Sequence, residues 1–331
     1  MGTFLTTPKM SPELAARVEA AVTGKPAAAK MSPKVVALLR FLGIVGFVGI
    51  FVWLFVVRRQ AALALEANRN ELLAQLHEHT SQVTEKDRAM LTHIEKWVAE
   101  QSKEYGGDLI DDSVRGDGMK KTLSQPIMYL RGPVEGFKTL QGLADMGQTT
   151  YRDAFVLCLF DPPEKSTEKT LREAARAVLA PSSERNKATA HVVRFHNARA
   201  GLPFFAPQWE EKVRALEDSR GLNEMRNKLK KATLEESVKA IKARLLLVVM
   251  DEPKDGKGPT EIDGANRHYV RVLLHDLDAD KDLLRQRKLV DPSWIPTDRR
   301  GEHSNGMNSC ELGIEVRGAM LGTTPTPAQT P

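Results

Sequence analysis

One stretch of the chain departs from the mixing of apolar and polar positions found elsewhere. From Val35 to Val57 the sequence reads VVALLRFLGIVGFVGIFVWLFVV, with Arg40 as its only charge. As a helix rising 1.5 Å per residue these 23 positions cover roughly 35 Å, enough for a bilayer core of about 30 Å with some tilt. Arg40 lies near the start, where a long side chain reaches the headgroups. A cleaved signal peptide is the competing reading, because Ala62-Leu63-Ala64 supplies an A-x-A pattern. The anchor is preferred: the run exceeds the usual apolar region of about 7–15 residues, 34 residues precede it, and Arg58-Arg59 separates it from that pattern.

Beyond the apolar run the period changes. Arg58 to Glu104 contains neither Gly nor Pro and is rich in Ala, Leu, Glu, Gln, Lys and Arg, which predicts one continuous helix. Leu76, Val83, Met90 and Trp97 recur every seven residues, with Leu73 and Ile94 at matching a positions and Thr80 and Asp87 interrupting the seam. Two readings fit: a parallel coiled-coil stalk, or a single amphipathic helix packed on the following domain. Gly43, Gly46 and Gly49, though not in G-x-x-x-G spacing, could let two spans approach, so the coiled-coil reading would give a homodimer through stalk and span.

Residues 105–150 read as an irregular connector with a short strand at Ile127–Leu130, and residues 151–321 as a mixed α+β globular domain. In that domain AFVLCLF (154–160), LLLVVM (245–250), YVRVLLHDL (269–277) and LGIEV (312–316) are expected as strands, HVVRF (191–195) as strand or helix, and Ser166–Leu179 and most of Gln208–Ala243 as helices. DEPKDGKGPTEIDGANRH is loop. The Pro-rich residues 1–34 form a mobile basic tail, and residues 322–331 a disordered one.

Composition changes this picture in one respect. The chain of 331 residues carries a formal net charge of +5, almost all of it in residues 1–57, so its basic character is no argument for nucleic acid. That tail points to a cytoplasmic N-terminus and an extracytoplasmic domain, although Arg58-Arg59 pulls the other way. Cys158 and Cys310 are the only cysteines and are either bridged or two buried thiols. No N-x-[ST] sequon occurs, which favours a bacterial envelope over a secretory lumen.

Chemistry is less legible. Asp161, Asp251 and Asp276 each close an apolar run, and in a parallel sheet such strand-terminal carboxylates converge on a crevice and hold a divalent cation. The plainer reading is that each acid caps its exit turn. Runs 245–250 and 269–277 lack a crossover helix between them and should pair antiparallel, with Asp251 and Asp276 at opposite ends. The segment His275-Asp276-Leu277-Asp278-Ala279-Asp280-Lys281-Asp282 is the most suggestive short run. As a calcium loop it fails where Lys281 replaces the turn glycine and Arg287 the bidentate Glu. Asp276-x-Asp278 resembles the metal–diphosphate motif of nucleotide-sugar transferases, which implies a metal at those two residues; the plainer alternative is a hairpin turn. No histidine pair has metal-ligand spacing, and phosphate-loop and nucleophile motifs are missing.

The expectation is a membrane-anchored interaction or scaffold protein: one transmembrane helix, a helical stalk and a C-terminal mixed α+β domain, with no cofactor, partnered by the bilayer and an unidentified protein. The alternative is a membrane-tethered metal-dependent enzyme, a transferase or hydrolase, with Asp276 and Asp278 as catalytic carboxylates and Asp161 and Asp251 as further metal ligands.

Overall fold

The computed structural model describes residues 11–13, 19, 22, 32–180, 184–252, 267–295 and 304–323. The expectations for most of the N-terminal tail, for the loop between runs 245–250 and 269–277, and for the C-terminal tail lie outside these residues. The chain divides into two compact units, Met1–Glu66 and Ala67–Pro331.

In the first unit the apolar run belongs to the helix Pro33–Thr80, which is long and apolar enough to cross a membrane. None of its most apolar window is buried in the protein, and Phe47, Phe51 and Trp53 are exposed. An added Cβ at Gly43, Gly46 or Gly49 would meet nothing within 4 Å.

The second unit is built on a six-stranded mixed sheet: β1 Leu109–Ile110, β2 Ile127–Pro133, β3 Val192–Arg194, β4 Leu245–Asp251, β5 His268–Asp276 and β6 Lys281–Val290, in the order β1-β6-β5-β4-β2-β3. β2 runs parallel to both β3 and β4, and the remaining pairs are antiparallel. The expected strand at Ile127–Leu130 is present, as part of a strand flanked on both sides in the sheet. The period of two sorts the side chains. Leu245, Leu247 and Val249 of β4 and Val270, Val272 and Leu274 of β5 share a core with Phe155, Val156 and Leu159 and with Leu312, Val316 and Met320.

Those partner residues lie on helices, which corrects two expected strands. AFVLCLF forms the helix Ala154–Phe160, started by the Asp153 side chain accepting the Val156 N–H at 3.1 Å. LGIEV lies within the helix Ser304–Leu321. Residues 154–159 are all buried, so no polar face shows a period there, and LGIEV, with Ile314 and Glu315 half-buried, is too short to tell one period from the other. The two helices pack closely because Gly313 offers no side chain: a Cβ there would stand 2.6 Å from the Phe155 carbonyl oxygen. HVVRF divides between β3 and the helix Phe195–Gly201.

The expected uninterrupted helix from Arg58 to Glu104 also needs correction. It stops at Thr80 and restarts as Glu85–Gln101. Thr84 Oγ1 accepts the Asp87 N–H while the Asp87 carboxylate accepts the Thr84 N–H at 2.8 Å, a capping box that makes a new helix start better satisfied than a continued helix. Leu72, Leu76, Val83, Ile94 and Val98 are buried within the chain itself. At the far end Arg271 Nη1 donates to the carbonyls of Gln101 and Lys103 at 2.9 and 2.7 Å, satisfying groups that the helix end leaves open.

Candidate functional site

The four carboxylates singled out in the sequence do not converge. Asp161 caps the helix Ala154–Phe160. Asp251 ends β4 and Asp276 ends β5, and the antiparallel register sets Asp276 opposite Leu245, so the two acids lie at opposite ends of the sheet, roughly 20 Å apart along the strands. Asp276 Oδ1 accepts the N–H groups of Asp278 and Ala279, both at 2.9 Å, and thereby shapes the β5–β6 hairpin. Asp278 pairs with Lys86 at 3.0 Å and with Arg244. Asp276 and Asp278 are thus engaged in the turn.

Asp251 belongs to a different arrangement, at the C-terminal ends of the parallel strands β2 and β4. Its carboxylate, fully buried, takes a bidentate pair from Arg131 at 3.1 and 3.2 Å and faces His268 Nε2 at 3.5 Å. Arg131 Nη1 also donates to Asp153 at 2.7 Å and to Ser309 Oγ at 2.9 Å, and the Tyr129 hydroxyl reaches Asp153 at 3.0 Å. Burial raises the Asp251 carboxyl, but Arg131 and His268 outweigh it and hold the group below the usual carboxylate range. Arg131, Asp153, Asp251 and Ser309 line a crevice of about 420 Å³. With every guanidinium nitrogen of Arg131 engaged, the cluster ties the sheet to both covering helices. Those helices are also joined covalently, by a disulfide between Cys158 and Cys310.

A second cluster lies on the other face of the sheet, under the helix Glu85–Gln101. His275 of β5 projects there beneath that helix, and the Trp97 ring lies against it, tilted by 34° with centroids 4.4 Å apart. Its Nδ1 lies 2.8 Å from Asp282 Oδ1, which also accepts the Trp97 indole N–H at 3.1 Å. The hydrogen bond from His275 is the main influence holding the Asp282 carboxyl below the usual range. His275 Nε2 is buried and has no hydrogen-bond partner; the same holds for Nε2 of His93, one turn before Trp97 on the helix. Both nitrogens face Asp280 Oδ1, at 3.3 Å from His275 and 3.1 Å from His93. The three ligand atoms lie within 4.8 Å of one another. Asp280 sits in the β5–β6 turn at φ 51°, a left-handed backbone uncommon outside glycine. His93 and Asp280 border a groove of about 560 Å³ lined also by Lys86, Met90, Ile241, Lys242 and Arg244.

No protein-family model matches the chain, and no curated protein or solved structure shows significant similarity to it. The geometry therefore has to carry the functional reading. The run His275–Asp282 supplies two members of this cluster, its histidine and its third aspartate, Asp280. Their partner His93 comes from a helix far away in sequence, so no spacing rule could find it.

Proposed function

We propose that this chain is a single-pass membrane protein whose Pro33–Thr80 helix anchors a disulfide-stapled α+β domain on the oxidising side of the membrane, where the domain acts by binding a partner. The observation that carries this reading is a helix of spanning length with none of its most apolar window covered by protein. Exposing that surface to water would cost far more than a domain's stability, whereas lipid accepts it. The bridge between Cys158 and Cys310 supports that compartment, since such bonds persist outside the reducing cytosol. The basic tail agrees with a cytoplasmic N-terminus.

Binding is preferred to strand-end catalysis because Asp161, Asp251 and Asp276 are dispersed and Asp278 is spent on two cations. The stalk seam is a poor site for a second copy, since Leu76 and Val83 are buried within their own chain. Pairing of two copies would fall to the apolar helix at Gly43, Gly46 and Gly49, where the backbone is open.

The test uses a single added thiol. Ala67→Cys places an exposed sulfhydryl just after the first unit, beside two cysteines that are already bridged. A membrane-impermeant maleimide should label it from outside in intact cells. Labelling only after permeabilisation would reverse the orientation. For the binding role, cross-linking in intact cells should yield discrete heavier adducts of the domain. A protein recovered alone, with a divalent-cation-dependent turnover abolished by Asp276→Asn and Asp278→Asn, would establish the enzyme instead.

A further inference from the structure

Two imidazoles and a carboxylate face one another at a place where their own hydrogen bonding does not close. Asp282 accepts from the Trp97 indole N–H at 3.1 Å and from His275 Nδ1 at 2.8 Å. A carboxylate can only accept, so Nδ1 is the protonated nitrogen of His275 and a neutral ring presents a bare lone pair at Nε2. That atom is buried, on a side chain only 2 % exposed, and has no hydrogen-bond partner. A buried lone pair left unused is costly, and His93 Nε2 beside it is likewise buried without a hydrogen-bond partner. Asp280 meets both nitrogens through one carboxylate oxygen.

We propose that His93, His275 and Asp280 bind a divalent first-row transition ion of the zinc class, with Asp282 as the outer carboxylate that fixes the His275 tautomer. Two ligands each about 2.0–2.1 Å from a tetrahedral zinc ion stand about 3.3–3.4 Å apart. The separations from Asp280 Oδ1 to the two imidazole nitrogens are 3.1 and 3.3 Å. An ion there would satisfy three lone pairs at once. The carboxylate–histidine arrangement of Asp282 and His275 is the outer contact by which ligating imidazoles are ordinarily oriented. Two nitrogen donors select against magnesium and calcium, which take oxygen. Three protein ligands leave a fourth position, and His93 and Asp280 both line the groove of about 560 Å³. That open side is the feature distinguishing a reactive or ligand-accepting zinc site from a closed structural one.

The experiment takes the full-length protein in detergent, purified through a histidine-free tag, stripped with chelator and titrated with Zn²⁺ and separately with Co²⁺. One equivalent of each should bind, with Co²⁺ giving the visible bands of a low-coordinate nitrogen–oxygen site. Asp280→Asn is the decisive variant, because Asp280 is exposed and asparagine tolerates its left-handed backbone, so the fold is kept. It and His93→Gln should each weaken zinc binding by at least ~100-fold, and Asp282→Asn by about 10–100-fold, the range usual for an outer-carboxylate loss. Failure of the wild-type protein to take up either ion stoichiometrically would overturn the proposal. So would stoichiometric binding that Asp280→Asn and His93→Gln both retain within about threefold, which would place the ion on other residues.

Discussion

Removing the covalent link between Cys158 and Cys310 frees two chain positions 152 residues apart. In the chain-entropy account a loop of that size stabilises by about 5 kcal/mol, through restriction of the unfolded chain. A domain of ordinary stability holds only about 5–15 kcal/mol, so the reduced protein should be near the edge of folding. Both sulfurs are fully buried. Reductant added to the folded protein will therefore act slowly, and the comparison should start from unfolded chains refolded with and without reductant. At a urea slope of about 2.5 kcal/mol/M, the expected loss moves the unfolding midpoint down by about 2 M. Trp97, which lies against His275 in the domain, reports the transition by fluorescence. A midpoint shift under about 0.5 M would show that the bond contributes little, and would remove the energetic case for an oxidising compartment.

Three further outcomes follow from the packing. Leu72→Ala should destabilise the domain by about 2–5 kcal/mol, since Leu72 is fully buried although it belongs to the same helix as the apolar run; an unchanged urea midpoint would mean that residues 67–80 are a mere connector. Gly313→Ala adds a methyl 2.6 Å from the Phe155 carbonyl oxygen and 2.9 Å from the Leu159 nitrogen. Backbone cannot yield as a side chain does, so an overpacking cost of about 1–3 kcal/mol should exceed the roughly 1 kcal/mol gained in helix propensity, and a raised Tm would contradict this. The Asp251 carboxyl is pushed up by burial but held below its ordinary value by Arg131 and His268. A group depressed in the folded state contributes its full stability above the unfolded value of about 3.9 and loses it as pH falls through that value toward the folded one. Tm should therefore drop steeply below about pH 4 in the wild type and less steeply in Asp251→Asn, which starts lower at pH 7 for want of a partner to buried Arg131; equal slopes would refute the assignment.

The long apolar helix and the antiparallel pairing of β4 with β5 were legible because each rests on a signal confined to a few neighbouring residues. Val35–Val57 carries a single charge, and the Pro-, Gly- and Asp-rich sequence between runs 245–250 and 269–277 offers no pattern for a crossover helix, which favours a reversal. AFVLCLF was misread as a strand because burial of residues 154–159 erases the polar face by which a helix declares its period, and LGIEV because five residues are too few to tell one period from the other. The break after Thr80 was present in the sequence as Thr84-x-x-Asp87, with Asp87 read as a flaw in a heptad seam when it is the acceptor that closes a capping box. His93 carried no signal at all. It becomes a candidate ligand only because Trp97 and the β5–β6 hairpin bring Asp280 and His275 beneath one helix face, a long-range contact that no local pattern encodes.

Alkaline carbonate extraction of native membranes, read by the intact mass of the recovered chain, tests the anchored domain most directly. The account requires the uncut chain, with Val35–Val57 still attached and Cys158 bonded to Cys310, to remain in the pellet with the lipid. Release of that full-length product into the supernatant, or a mature chain beginning at Leu65, would contradict it.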